Sequence, residues 1–570
     1  MKKLRIARVA VALIVFVLMG AQFLDVYHAL PKLYYKLDVA DTQFVPSLIM
    51  WLGGGAVVSA AAFVAFCVCA LLFGRAYCSF FCAFGILMDV LRKIFSLVFG
   101  RKFFAKSAAG KFAKSALSMQ YRRSRAAVRG FFLALATVCI IFGWVALLGF
   151  LDPYSLYGKV FGAFVNPIFA GLCDWSSTLL YGFDIYAVPP VNGNPQVPFA
   201  AFGAALLILL GISAASVLRG RLFCNTVCPV GALLGLLSKF ALFKLGIDAQ
   251  KCVSCGKCER ICKAECADAK NKRIDFSKCV LCFDCAPNCP KKAIGFSVNN
   301  LYKKSAVVKK QPKLSENNCA VRAESGALGG SISRRKFPSA LLGVSLAAFF
   351  GAKIDAAEKN ASNISRFSLA GRRADKRLTA PPGARSIENF LGKCTACQRC
   401  VAACKAQILK PSVGQWGLSH FMQPFMDYDA GFCLFDCHSC SKVCPTDAID
   451  FIPLAQKRRT KIGTAIFNES LCVVKTDGTD CAACGEHCPV QAIEMLPFDR
   501  KKSLYIPHVH SEVCIGCGAC ESICPVRPHR AIVIEGLAVH SVSKVFDSSM
   551  RVSKPDYEAP QPQNSSPFPF

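Results

Sequence analysis

The chain has 570 residues, of which 54% are hydrophobic, 34 cysteines and a net charge of +32. That length exceeds one domain, and the long apolar stretches exclude a small secreted disulfide scaffold, the usual home of so many cysteines. The basic excess is not a nucleic-acid footprint, because it is confined to alternate loops between the apolar stretches.

Taken in chain order, five apolar stretches predict helices: 6–24, 48–73, 128–151, 199–218 and 337–352. The first four have the ~20 residues needed to cross a bilayer, and the fifth is marginal. The stretch 160–172 is interrupted by Pro167 and reads as an interfacial or re-entrant piece. No small-residue cleavage site follows the first stretch, so it reads as a span and not as a signal peptide. With Met1 inside, 39 basic and 9 acidic residues fall on inside segments, against 29 and 27 outside. This positive-inside asymmetry predicts residues 219–336 inside and 353–570 outside, with the inner segments facing lipid.

The first four stretches form two similar hairpins. Phe23-Leu24-Asp25-Val26-Tyr27 recurs as Phe150-Leu151-Asp152-Pro153-Tyr154. Gly74-Arg75-Ala76-Tyr77-Cys78-x3-Cys82-x2-Gly85 recurs as Gly220-Arg221-Leu222-Phe223-Cys224-x3-Cys228-x2-Gly231. A parallel repeat of this kind puts a site between the halves. Cys78, Cys82, Cys224 and Cys228 are then either small buried residues at turns or a shared redox or metal site. Cys67, Cys69 and Cys139 read as packing residues, and Cys173, Cys266 and Cys319 have no evident partner.

Six further cysteine groups carry the spacing of cluster ligation. The inner pair is Cys252, Cys255, Cys258, Cys262 and Cys279, Cys282, Cys285, Cys289. Three close thiolates grip three corners of a cube and the fourth cysteine serves the other cluster. Cys289 is therefore expected beside the first triad and Cys262 beside the second. Zinc also takes paired cysteines, but four in this spacing, duplicated and ending in Cys-Pro, favour [4Fe–4S]. The tail repeats the theme with Cys394, Cys397, Cys400, Cys404 and with Cys514, Cys517, Cys520, Cys524. Cys433, Cys437, Cys440, Cys444 carry one extra residue, and Cys472, Cys481, Cys484, Cys488 a long first gap. Extra residues there can loop out without moving the last three ligands. His438 and His487 read as neighbours of the sites and not as ligands. All 16 tail cysteines lie in motifs, so an exported tail has to fold around its clusters first. Ser333-Arg334-Arg335-Lys336-Phe337 has the look of a twin-arginine export signal.

The expected fold is a multi-domain membrane protein. A helical transmembrane bundle, four spans in two repeated hairpins plus a fifth span, carries α+β ferredoxin-like domains. The expected layout is a membrane domain at 1–246, a two-cluster domain at 247–298, a basic linker at 299–336 and the fifth span at 337–352. A linker at 353–390, a four-cluster domain at 391–540 and a disordered tail at 541–570 complete it.

The spans with G-R-x-[YF]-C-x3-C and two ferredoxin motifs resemble the NapH-type membrane subunits of quinol dehydrogenases, with kin in the MauN and NosR groups. The twin-arginine signal and four cluster motifs resemble the NapG/MauM-type periplasmic ferredoxins, here fused to the first. The resemblance implies a bacterial inner-membrane protein that passes electrons from menaquinol or ubiquinol through six [4Fe–4S] clusters. The implied acceptor is a periplasmic partner, a cytochrome or a reductase such as nitrate reductase. Quinol oxidation needs proton acceptors near the membrane interface, for which Asp25, His28 and Asp152 are candidates, although each also suits a helix end. Resemblance to four-cluster ferredoxin subunits implies that the first tail motif pairs with the fourth and the second with the third. Two other functions fit: a maturation or regulatory protein of NosR type, and a passive relay docked to a separate quinol-oxidising subunit.

Overall fold

The computed structural model describes residues 1–27, 42–53, 57–99, 119–122, 125–186, 188–191, 197–298, 378–499 and 503–552. His28, the linker at 299–336 with its arginine pair, and the expected span at 337–352 lie outside the described residues.

Three described helices are long and apolar enough to cross a membrane. The first, α1 (Lys2–Leu24), buries Arg8, Ala12, Val15, Met19 and Phe23 along one face, the spacing of a helical stripe. Ile14 and Val17, on its other side, are exposed. The expected span at 48–73 is instead two helices. α2 (Phe44–Leu52) is capped by Gly53, and α3 (Val57–Phe73) folds back along it. Phe63 lies 4.8 Å from the Phe44 ring and 5.8 Å from Trp51. α4 (Ala83–Phe99) follows the first C-x3-C motif.

The stretch 128–151 also breaks. α5 (Ala126–Ile141) ends in a turn at Phe142–Trp144, where Gly143 takes φ +70°, and α6 (Val145–Leu151) follows. Asp152 then caps the next helix, accepting from the amides of Tyr154 (3.3 Å) and Ser155 (2.8 Å), with Pro153 in the first turn. That helix, α7 (Pro153–Tyr181), is the second membrane-length one. It contains the stretch read as re-entrant. Its π-helical segment Phe161–Val165 sits just ahead of Pro167. The wider turn accommodates a residue that has no amide to donate and would clash with a regular preceding turn. α8 (Phe199–Arg219) is the third, and α9 (Pro229–Leu237) follows the second C-x3-C motif. Of the four expected spans, the first and fourth are single helices of membrane length, while the described residues of 48–73 and 128–151 each divide between two helices.

The inner cluster region is held by two small antiparallel sheets. β1 (Phe243–Ile247) pairs with β4 (Ile294–Val298), and β2 (Ala267–Asp268) with β3 (Arg273–Ile274). The tail unit uses β5 (Leu409–Pro411) with β6 (Pro424–Met426), β7 (Thr460–Phe467) with β10 (Ile532–Val542), and β8 (Ile493–Asp499) with β9 (Leu504–Val509). It is wider than 391–540. Ala380 and Ala384 are fully buried, Ser386 bridges Val539, and the described chain runs on to Val552.

The two cluster regions sit at opposite ends of the long helices. At one end of α1, Arg5 pairs with Asp284 at 2.8 Å; at one end of α8, the Arg221 amide donates to Lys263 at 2.9 Å. At the far end of α8, Ala201 and Ala205 pack with Ala396 and Met422 of the tail. The tail's first cysteine loop lies flush on α7: a side chain at Gly158 would collide with the carbonyl of Cys397. Phe150 stacks on Phe421 at 6.2 Å.

Candidate metal centres

In the inner region each triad has the other motif's fourth cysteine beside it. One cavity is lined by Cys252, Cys255 and Cys258 together with Cys289. Cys262 lies within electrostatic range of Cys282 and Cys285. The second site also holds a cysteine outside the motif. Cys266 Sγ is 3.4 Å from Cys262 Sγ, and it also bonds Cys279. Its hydrogen bond lowers the Cys262 thiol to about 6. Cys266, which seemed partnerless, escaped notice because no regular spacing ties it to the motif.

The tail exchanges ligands too, but between sequence neighbours. Cys444 stands among Cys394, Cys397 and Cys400. Cys404 joins Cys433, Cys437 and Cys440. Cys472, Cys481, Cys484 and Cys524 line one cavity, and Cys488 belongs with Cys514, Cys517 and Cys520. The first motif therefore pairs with the second and the third with the fourth, overturning the first-with-fourth arrangement. The reason is local: β7–β10 and β8–β9 tie the two later motifs together, while β5–β6 lies between the two earlier ones. His438 and His487 bond backbone carbonyls of Ile452 (2.9 Å) and Ala483 (3.0 Å) through Nδ1.

The chemistry of these groups fits iron–sulfur clusters. Burial and then the Cys481 thiol push Cys484 up to about 12, and burial and then Asp284 do the same for Cys282. Thiols crowded this way resist ionising together unless a cationic iron core neutralises them. Among the described residues, no three His, Cys, Asp or Glu groups meet at the range of a single ion.

The C-x3-C pairs converge. Cys82, Cys224 and Cys228 each lie within electrostatic range of Cys78, and all four are buried. The two repeats complete each other. Arg75 Nη2 donates to the carbonyl of Cys224 at 2.8 Å, and Arg221 Nη1 donates to the carbonyl of Cys78. Gly85 and Gly231 leave room for those carbonyls, and their amides reach Cys82 and Cys228 sulfur at 3.4 and 3.3 Å. Arg221 also bonds Asp89 at 2.8 Å, which Arg8 (2.7 Å) and Lys263 (3.3 Å) share. Burial alone would raise the Asp89 carboxyl, but Arg221, Lys263 and Arg8 hold it well below the usual range. Lys263 in turn reaches Asp284 at 3.0 Å, tying this quartet to the inner cluster region. The recurring Gly-Arg before each motif was the only sequence signal of these arginines.

The candidate proton acceptors separate. Asp152 is buried and occupied as a cap; Asp25 ends α1. Asp152 lies in electrostatic range of both Tyr77 and Cys397. Beside it the fully buried Lys159 donates to the Gly149 carbonyl at 2.7 Å, within electrostatic range of Cys394 and Cys397. Nothing in the sequence marked that lysine. Next to Asp25 in sequence, a small open cleft is lined by Val26, Gly162, Asn166, Val197, Cys404 and Lys410, among others.

These cysteine sets suit iron–sulfur clusters, and they stand at the ends of apolar helices of membrane length. The comparisons agree. A 4Fe-4S binding domain family matches residues 55–103 and 201–248, which contain the two C-x3-C motifs. A 4Fe-4S dicluster domain family matches residues 479–527. NapG, a ferredoxin-type protein of Escherichia coli (strain K12), is 31% identical over 150 residues, 25% of this chain and 64% of NapG. NapF, another from that strain, is 29% identical over 160 residues, 28% of this chain and 86% of NapF. YccM of the same strain, named for electron transport, is 26% identical over 229 residues, 40% of this chain and 52% of YccM. The chain thus spans less than two thirds of YccM and of NapG. No solved structure matches it.

Proposed function

We propose that this protein takes electrons from membrane quinol and delivers them through six [4Fe–4S] clusters to a periplasmic reductase or cytochrome. The observation that carries the reading is the placement of cluster ligand sets at both ends of α1 and α8, with the tail's first cysteine loop seated on α7. Each bound cluster would store and pass one electron at a time. The chain's own residues do the rest. The cleft lined by Val26 and Cys404, where α7 meets the tail unit, is the candidate position for the quinol head. Asp25 is the proton acceptor closest in sequence to that cleft; Asp152 would serve by holding α7 and its neighbour Lys159 against the first tail loop. The four C-x3-C thiols, between the inner region and Asp152, are a further redox or metal site, and the family match over both motifs supports iron and sulfur there.

Residue 298 leaves the inner region at one end of the helices and residue 378 begins the tail at the other. That supports an inner two-cluster domain and an outer four-cluster domain in the bacterial inner membrane, with residues 299–377 connecting them. The test is reduction of the anaerobically purified protein by a menaquinol analogue. Bleaching of the cluster absorbance supports quinol oxidation. Bleaching by dithionite but not by the quinol would leave a passive relay or a maturation protein.

A further inference from the structure

The two inner sites differ in what faces them. The site of Cys279, Cys282 and Cys285 looks toward the membrane helices, joined to the C-x3-C quartet through Lys263. The site of Cys252, Cys255, Cys258 and Cys289 opens outward. Cys255 is the one exposed cysteine among the described residues. Beside it Val253 is 59% exposed, an apolar tip with no cover in this structure.

The charges around that opening are one-sided. Residues 251–292 hold ten Lys and Arg against five Asp and Glu, and Asp248 just ahead of them pairs with Lys251 at 3.5 Å. The acids are spent elsewhere: Asp284 on Arg5 and Lys263, Glu265 on Arg219, Glu259 on the Tyr121 amide, Asp268 on Arg273, and Asp275 on Ser277. Three of those five bind partners that include residues of the membrane domain. The bases remain at the opening. Lys257 and Lys291 line the cavity and are exposed, as are Arg260 and Lys292; Arg260 donates to the Cys255 carbonyl at 3.5 Å.

We propose that this basic collar docks a small acidic one-electron carrier protein, which exchanges electrons with the first inner site at Cys255. The inference rests on the iron–sulfur reading and goes beyond the quinol path: it gives the inner pole a second redox partner. Charge complementarity commits the surface to an acidic protein, because a cationic rim around an exposed redox site steers and orients a negative partner. An apolar tip inside a polar rim is the usual make-up of such a contact. With a flavodoxin as carrier the step balances simply. The anionic flavin hydroquinone loses one electron and no proton, becoming the neutral radical, and the inner site gains that electron; no bond forms or breaks.

The probe is purified flavodoxin with the full-length protein in nanodiscs. Two readouts are taken: the rate of flavin hydroquinone oxidation in stopped flow, and equilibrium binding of oxidised flavodoxin, which needs no cluster. We expect the rate to fall about tenfold from about 0.01 M to about 0.15 M ionic strength. K257E/K291E should lose a similar factor and lose binding, while K257R/K291R retains both. Dithionite should bleach all three proteins equally. A rate and a binding constant indifferent to salt and to K257E/K291E would overturn the proposal. So would a variant whose only change is weaker binding to anionic-lipid vesicles, since the collar would then serve the membrane surface. Salt-dependent binding without bleaching by dithionite would count against the iron–sulfur reading alone and still support the docking.

Discussion

Serine at Cys524 tests the ligand exchange in the tail. Cys524 is the last cysteine of the fourth motif, yet it shares a cavity with Cys472, Cys481 and Cys484. Each four-iron cluster contributes about 4 iron atoms, so C524S should lower the iron content by about 4 per chain. The single variant cannot say which cluster left; pairs can, because effects within one unit are non-additive and those of independent units add. C524S/C484S removes two ligands of one cluster and should still cost about 4 iron atoms. C524S/C520S removes one ligand from each of two clusters, because Cys520 stands with Cys514, Cys517 and Cys488, and should cost about 8. C524S/C400S should also cost about 8. The assay is iron and acid-labile sulfide on anaerobically purified protein, with cluster spectra recorded at each step. If C524S/C520S costs only about 4 and C524S/C484S costs about 8, each motif holds its own cluster and the geometry has been misread. If C524S/C400S costs about 4, the first-with-fourth pairing stands after all.

Total iron should be about 24 atoms per chain if the six motifs fill, and about 28 if the C-x3-C quartet holds a four-iron cluster as well; C78S/C224S should remove only that difference. Arg221→Met leaves the Cys78 carbonyl without its donor and Asp89 with Arg8 and Lys263 alone, a cost of about 3 kcal/mol, measured as a lower temperature of cluster loss. Burial lowers His540 from the ordinary histidine value to about 4. The fold favours neutral imidazole, so its stability is complete above about pH 6.5 and declines by roughly 3 kcal/mol as pH falls toward 4; H540Q should flatten that slope in urea unfolding. Protease added to intact spheroplasts should cut the tail unit and spare residues 219–298. Complete protection of the tail would place both cluster domains on one side, and unchanged cutting in R334K/R335K would reduce the arginine pair to an anchor.

The grouping of the inner cysteines was legible in the sequence, because the spacing of three close thiolates survives any fold around it. The sequence could not carry the tail pairing, since four motifs of similar spacing allow several pairings and the strand pairings that choose one are not written in the motifs. The membrane helices were legible as apolar mass but not in shape. Nothing apolar distinguishes the turn at Gly53 or Gly143 from a continuous helix, and Pro167 signalled a break where a π turn keeps the helix going. Asp152 reads in the sequence as an acid at a helix end, and in the structure it is a helix cap. Lys159 has no such signal, because a lone lysine between two apolar stretches looks like a boundary until a second unit covers it.

The crossed arginines constrain how such a protein can be assembled. Arg75 satisfies a carbonyl of the other repeat, and Arg221 returns the bond. A half-length chain with one repeat would bury a guanidinium with nothing to donate to and strand a carbonyl inside apolar surroundings, each a cost that folded backbones avoid. Two copies related by a twofold axis would satisfy both at once, as isologous interfaces do. Each repeat thus carries the donor that the other's buried turn requires, so the two are complete only together.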